Sequence, residues 1–369
     1  MDNSKKLNIG FVTIWFERGQ AYVTKTIRDQ IDQIHNTFIF ARTGGVHGQL
    51  KLETKGNWNV PNLTTHDSYA ISHDVMRNWI EEHNLDAVVF NEEYDWGLVK
   101  CCRDMGVKVL TYLDYYKDEW QDFMHLYDGV LCSSRRAYDL VKDKCNALFM
   151  GWGVDTSIFQ PAENTKDAAT FYHNAGWYGI GFRKMTPAAI LAFDALNKVY
   201  PQISLFVHSQ GELEKLPPGI IEIVRKNKNI EFHVETVPAP GLYHKGRVFL
   251  FPTKLEGLGL PLMEAFACGM PALVTDAAPM HEFVESGSNG ILVQVAHQLT
   301  REDNIAFPEE IIDVNDLAMK MSIFIENPSL IESMGENARR YATEKISLAG
   351  FSRRVHSCFA EVLGKGVTT

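Results

Sequence analysis

The sequence predicts an α/β protein made of two doubly wound parallel-sheet domains in series. Three observations predict it. Short apolar runs of strand length alternate with longer stretches of helical periodicity, and strands separated in this way pair in parallel with helices on both faces. The alternation breaks at Gly151-Trp-Gly-Val-Asp155 and at Gln160-Pro161, where glycines, a proline and a polar run mark a boundary near 155–167. It then restarts. The 369 residues suffice for two domains with cores of their own.

Residues 7–15 are a predicted strand. Residues 21–34 are a helix with Val23, Ile27, Ile31 and Ile34 at helical spacing, and 37–41 are a short strand. The Gly-, Asn- and Thr-rich residues 43–63 read as loop with a weak strand. A helix over 68–83, a strand over 87–91, a helix over 96–105, strands over 107–113 and 129–133, a helix over 135–145 and a strand over 147–150 follow. Past the boundary, 170–175 is a strand. Thr186 and Pro187 are placed as N-cap and first residue of a helix ending near 199. Strand 203–208, helix 219–226 and strand 230–234 come next. Residues 247–252 form a buried strand and 253–259 a polar, glycine-bearing turn. Pro261 opens a short helix that Gly269 ends in a left-handed cap, and 271–275 is another strand. Helices over 280–285, 313–326, 329–345 and 348–364 complete the chain.

Composition narrows the function. The formal charge of −10 argues against nucleic acid as a partner. Six cysteines are scattered without a C-x-x-C pair, which speaks for free thiols in a reducing, cytoplasmic setting and against a zinc site. The start of the chain reads as a strand and not as a signal peptide, and no apolar run reaches membrane-spanning length. The P-loop, the dinucleotide fingerprint G-x-G-x-x-G, H-E-x-x-H, G-x-S-x-G and D-x-D are all missing. Thirteen dispersed histidines read as surface or packed residues. Among the aromatics after strands, Trp15, Phe16, Trp177 and Tyr178 are lid or core residues, with core favoured for Trp15.

Two stretches carry chemistry. In Phe251-Pro-Thr-Lys-Leu-Glu256-Gly257-Leu258-Gly259-Leu260-Pro-Leu-Met-Glu264, two carboxylates flank a glycine-bearing turn and a helix start. Glycines allow close backbone approach, and free helix-start amides favour an anion, so hydroxyls and phosphate together fit the pattern. A solvated Glu256 and a dipole-complementing Glu264 in the first turn fit it equally. Arg183 and Lys184 precede the second domain's first helix after a glycine-rich connection. Two cations beside a positive helix end repel each other unless an anion lies between them, and a diphosphate suits that place. A pair of solvated surface cations is the alternative.

The block Glu256-Gly-Leu-Gly-Leu-Pro-Leu-Met-Glu264 through Asp276, followed by Met280-His-Glu-Phe-Val-Glu-Ser-Gly-Ser-Asn-Gly-Ile-Leu-Val293, resembles the donor-site signature of retaining glycosyltransferases of the GT-B fold, in particular family 4. Gly153-Val-Asp155 with Phe159 and Pro161 resembles the family's interdomain linker, and Arg183-Lys184 its diphosphate-binding pair. The resemblance implies two Rossmann-like domains in a GT-B arrangement with the active site in the interdomain cleft. The acceptor-side domain would be 1–155 with a returning C-terminal helix, 346–369, and the donor domain 156–345. It implies a sugar moved from a UDP- or GDP-linked donor to an acceptor hydroxyl on a glycan, lipid-linked carrier or protein, with retention of configuration. Glu264 would bind the donor ribose. Glu256, Gly257 and the amides of Leu258, Gly259 and Leu260 would face sugar and phosphate. Arg183 and Lys184 would stabilise the leaving diphosphate, and Gly19 would let it approach the first domain. No metal and no separate cofactor are then expected, in keeping with the missing D-x-D. The donor base is expected near 234–240.

Departures from the family pattern fall on the sugar and acceptor side. The usual His-Asp is Leu113-Asp114, so Asp114 alone matches; Trp152 replaces the linker Asn, and the turn after strand 203–208 is His208-Ser-Gln-Gly211. These changes motivate the alternative of a catalytically silent GT-B protein that binds a nucleotide sugar or a partner. A dehydrogenase- or epimerase-like enzyme ranks below both. Arg135-Arg136, Arg339-Arg340 and Arg353-Arg354 leave weak peripheral membrane contact open, with solvated helix faces the preferred reading.

Overall fold

A computed structural model of the chain describes residues 6–43, 52–162, 170–176 and 180–364. Contacts divide it into two units, Met1–Gly151 with Phe351–Thr369, and Trp152–Gly350. Trp177, Tyr178 and Gly179 lie outside the described residues.

The first unit runs β1 (Asn8–Ile14), α1 (Gly19–Ile31), β2 (Asn36–Arg42), β3 (Leu63–His66), α2 (His73–His83), β4 (Ala87–Asn91), α3 (Trp96–Asp104), β5 (Lys108–Tyr112), β6 (Gly129–Cys132), α4 (Arg135–Val141) and β7 (Ala147–Phe149). Its sheet order is β3-β2-β1-β4-β5-β6-β7, and every pairing is parallel. The central strands are buried on both faces because helices cover both, which is why they read as unbroken apolar runs. Trp15 is a core residue, as expected, and its indole N–H donates to the Trp58 carbonyl at 2.8 Å. α2 starts five residues later than its pattern suggests, because the Ser72 side chain accepts from the Val75 N–H and so fixes the helix start. Residues Asp118–Leu126, unassigned from sequence, form 3-10 turns.

The second unit runs β8 (Thr170–Gly176), α5 (Thr186–Asn197), β9 (Ser204–Ser209), α6 (Pro218–Lys226), β10 (Ile230–Val234), β11 (Val248–Phe251), α7 (Leu260–Ala267), β12 (Ala272–Thr275), β13 (Gly290–Val293), β14 (Val295–Leu299), β15 (Glu309–Ile312), α8 (Val314–Glu326), α9 (Ser329–Glu344) and the start of α10 (Leu348–Leu363). From Phe351 onward α10 belongs to the first unit. The six-stranded parallel sheet has the order β10-β9-β8-β11-β12-β13. Phe171, Phe193, Leu250, Leu273, Leu317 and Phe324 fill the core beneath it. β14 and β15 form an antiparallel pair that the sequence does not announce, since β14 is largely exposed and carries no apolar alternation.

In each sheet the strand order reverses beside one strand pair, β1 and β4 in the first unit and β8 and β11 in the second. Doubly wound sheets take ligands in the crevice at the carboxyl ends of such a pair.

The arginine pairs need correcting. Arg339 is no solvated helix residue: its guanidinium donates to the Phe159 carbonyl at 2.7 Å, to the Thr156 carbonyl at 3.0 Å and to the Ala267 carbonyl. It ties residues 156–159 to the end of α7. Arg354 Nε likewise donates to the Met150 carbonyl at 2.7 Å. In both, the cation satisfies carbonyls that no regular element pairs.

Candidate active site

The carboxyl ends of β8 and β11 lead into two loops that meet. Residues 180–185 follow β8, and 252–259 follow β11. The Lys254 N–H donates to the Arg183 carbonyl at 2.9 Å, and Thr253 Oγ1 lies 3.0 Å from the same carbonyl. This zipping sets Arg183, Lys184 and Glu256 side by side, although 72 residues separate Lys184 from Glu256.

Glu256 is 5% exposed. Lys184 Nζ donates to Glu256 Oε1 at 2.6 Å, Thr253 Oγ1 lies 2.8 Å from the same oxygen, and Arg183 Nη1 is 3.4 Å from Oε2. A solvated Glu256 is therefore overturned. The alternative of two solvated cations also fails, since Lys184 is buried and its ammonium stands 4.3 Å from the centre of the Phe251 ring. The anion between the two cations is supplied by the chain itself, and the cluster keeps a net charge of about +1. Burial pushes Lys184 down from 10.5 to about 8, with Arg183 adding to the fall and Glu256 opposing it. Burial alone would raise Glu256; the Arg183 and Lys184 charges outweigh it and hold the carboxyl below its ordinary value.

Thr186 does not cap α5. The N-cap is Met185, in the left-handed region at φ 53° with no side-chain cap. The Thr186 hydroxyl turns inward to His173 Nε2 at 2.9 Å, and His173 Nδ1 lies 2.9 Å from the Leu250 carbonyl. That carbonyl can only accept, so Nδ1 carries the proton and Nε2 accepts from Thr186. Burial lowers His173 to about 4, which keeps the ring neutral at physiological pH. The ring links β8, β11 and the start of α5 directly beneath the cluster.

Gly257, Leu258, Gly259 and Leu260 lead into α7. Among the described residues, the N–H groups of Leu258 and Gly259 meet no acceptor. Gly259 is the N-cap at φ 86°, and Pro261 follows as the second helical residue. A Cβ at Gly259 would lie 2.7 Å from Met280 Sδ, so alanine there is strained in backbone and crowded in side chain. We expect Gly259→Ala to lower stability by roughly 2 kcal/mol and to displace these amides. Thermal unfolding and phosphate-ligand binding, measured together, check this; unchanged values for both would contradict it.

Glu264 is not in the first turn of α7, which contains no acidic residue, so it is no simple dipole partner. Its Oε2 accepts from the hydroxyl of Tyr243. Burial raises its pKa, while the Tyr243 hydrogen bond and the Lys184 charge oppose the rise. A shallow recess beside Glu256 is lined by Thr253, Glu256, Thr275, Ala278, Met280 and Glu310. A second recess, about 140 Å³, is lined by Tyr243, Arg247, Cys268 and Met270 among others. The expected base-facing residues 234–240 follow β10 at its carboxyl end, where the Glu235 N–H donates to the Ser209 carbonyl at 3.0 Å.

Asp114 and Gly19 belong to the first unit. Asp114 lies two residues past the end of β5, half-buried, and accepts from the Tyr112 hydroxyl at 2.6 Å. Gly19 is the exposed first residue of α1, beyond the carboxyl end of β1. Sequence reasoning missed Thr253, His173, Thr186 as a donor to His173, and Tyr243. A threonine three residues before a loop glutamate was the one local signal among them. Sequence reasoning also missed Lys254, which binds Glu309 Oε2 at 2.5 Å and so braces the loop against β15.

The cluster lies at the switch point of a doubly wound α/β sheet, where such folds take ligands. Residues 180–341 match the family model described as Glycosyl transferases group 1. The match covers most of the second unit and less than half of the chain. The chain is 27% identical over 159 residues to an uncharacterised glycosyltransferase of Haemophilus influenzae, covering 42% of this chain and 40% of that protein. It is 23% identical over 224 residues to a lipopolysaccharide core biosynthesis mannosyltransferase of Rhizobium leguminosarum, covering 58% and 59%. The alignments thus span about half the length of these curated relatives. A glycosyltransferase structure from Rickettsia africae superposes with a TM-score of 0.75 at 14% identity, over 98% of this chain and 100% of that one. HepE of Anabaena, solved with UDP and glucose, superposes at 0.72 and 12% identity, over 96% and 100%. The GT-B fold, two Rossmann-like units, is shared with these structures.

Proposed function

We propose that this chain is a glycosyltransferase that moves a sugar from a nucleotide-diphosphate donor, UDP- or GDP-linked, to an acceptor hydroxyl with retention of configuration. The observation that carries this reading is the cluster of buried Lys184 and Glu256 with half-buried Arg183 at the carboxyl ends of β8 and β11. Breaking a sugar–phosphate bond builds negative charge on the departing diphosphate. A preorganised cluster with net positive charge, beside the amides of Leu258 and Gly259, stabilises that charge without reorganising. Arg183 and Lys184 can then do what a metal does elsewhere, and we propose a reaction without one. Glu256 keeps the two cations apart and in place, next to the donor sugar. Glu264 accepts from the ribose hydroxyls. Asp114 is assigned to the sugar from the first unit, and Gly19 to close approach of the diphosphate. The acceptor is a hydroxyl of a glycan, a lipid-linked carrier or a protein.

Relatives add support. Names among them include mannosyltransferases, and solved neighbours carry UDP with glucose or with GlcNAc. All six cysteines are free, which supports a reducing, cytoplasmic setting. No described helix is long and apolar enough to cross a membrane.

A thermal-shift panel of UDP, GDP and their common sugars, followed by transfer to an acceptor panel, tests the proposal. We expect one base to raise Tm and its sugar to be transferred. Glu264→Ala should weaken nucleotide binding by about tenfold, the loss of a hydrogen bond to a charged group. Tight binding with no turnover on any acceptor would favour the silent binding protein. No shift with either base would overturn the donor site.

A further inference from the structure

Glu264 has a buried holder that no sequence motif announces. Tyr243 starts the short turn Tyr243–Lys245 that leads into β11, 21 residues before Glu264, and its hydroxyl donates to Glu264 Oε2. Its ring cannot move freely. Tyr172 stands 5.3 Å away at 57°, Phe159 at 6.1 Å and 78°, and Phe249 at 6.1 Å and 68°, centroid to centroid. Phe159 is itself fixed by the Arg339 clamp on its carbonyl. The carboxylate is thus gripped by one oxygen from a residue locked on three sides. Among the described residues, its other oxygen, Oε1, has no hydrogen-bond partner.

A carboxylate on a two-carbon stem has several rotamers. Gripping Oε2 selects one of them and leaves Oε1 to accept from a ligand. A ligand group that matches must donate a hydrogen bond, as a ribose hydroxyl does; among the described residues Tyr243 is the protein donor to this carboxylate. We propose that Tyr243 is a positioning residue, which holds Glu264 so that Oε1 accepts from the ribose hydroxyls and so makes the site prefer ribonucleotides over nucleotides lacking those hydroxyls. The inference rests on the reading of Glu264 as the ribose-binding group. The lost binding of a hydroxyl-deficient nucleotide follows from the carboxylate oxygen left without a donor in a desolvated place.

Binding of UDP and GDP is compared with that of their 2′,3′-dideoxy forms, for the full chain, Tyr243→Phe and Glu264→Gln. The phenylalanine keeps the ring packing and removes only the hydroxyl. The parent should bind the ribo form about tenfold or more tightly than the dideoxy form. In Tyr243→Phe that preference should shrink about fivefold, with affinity for the dideoxy form unchanged and donor KM raised at constant kcat. A merely structural tyrosine would weaken both forms equally, and that result overturns the proposal. Full preference retained in Tyr243→Phe but lost in Glu264→Gln would overturn it too, while leaving the ribose role of Glu264 standing. Preference retained in Glu264→Gln would remove that role itself.

Discussion

Lys184→Met is expected to lower kcat/KM for transfer by about 10²–10³, the scale of one preorganised charge donor at a developing anion. The methionine fills the same space against Phe251 but offers no charge. It also strips the Glu256 carboxylate, 5% exposed, of its nearest cation, with Arg183 at 3.4 Å and the Thr253 hydroxyl still beside it. Breaking a buried pair in this way costs about 3 kcal/mol or more. The pH profile adds a second signature. Lys184 sits at about 8, so its charge is lost as pH rises through 8. Diphosphate affinity should fall over the same interval in the parent and stay flat in Lys184→Met. For folding the sign is opposite. Between about 8 and 10.5 the unfolded chain still holds the proton that the folded chain has released, so this group alone makes stability rise with pH there. Calorimetric binding of the nucleoside diphosphate from pH 6.5 to 9.5 checks both variants. A profile shared by parent and variant would remove Lys184 from the phosphate site.

Glu256→Gln should separate binding from transfer. The amide keeps the shape but leaves Arg183 and Lys184 uncompensated, which should destabilise the free protein by about 3–5 kcal/mol. Glu256 is also what opposes the fall of Lys184, so in the free variant burial and Arg183 push that ammonium lower still; nucleoside diphosphate binding should hold, with a proton taken up on binding, while transfer falls by about 10² or more. Adding Lys184→Met to Glu256→Gln removes both buried charges. The double variant should regain most of the lost stability and none of the activity. The non-additivity measures the pair directly. Full transfer by Glu256→Gln would contradict the central role of this carboxylate.

Much of the fold was legible because its strands are buried on both faces and its helices are periodic. β10 and β11 read almost to the residue. β14 and β15 did not, since they pair with each other outside the main sheet and β14 is largely exposed. Helix starts were misplaced where a side chain had competing work: Ser72 caps α2, whereas Thr186 leaves α5 uncapped to satisfy His173. The residues of the candidate site could be picked out as a set, because glycine spacing, a helix start and an Arg-Lys pair are local patterns.

By itself the sequence determined that two doubly wound α/β units exist, and that Glu256, Glu264, Arg183 and Lys184 stand on loops and a helix after strands. Local spacing and periodicity carry that much. Tertiary structure alone decided which charge neutralises which. Lys184 meets Glu256 only because β8 and β11 are neighbours at the point where the strand order reverses. Tyr243 meets Glu264 only because the turn before β11 packs against α7. Strand order and burial set those distances, and in a desolvated setting distance decides whether a carboxylate is a solvated bystander or the counter-ion of the site.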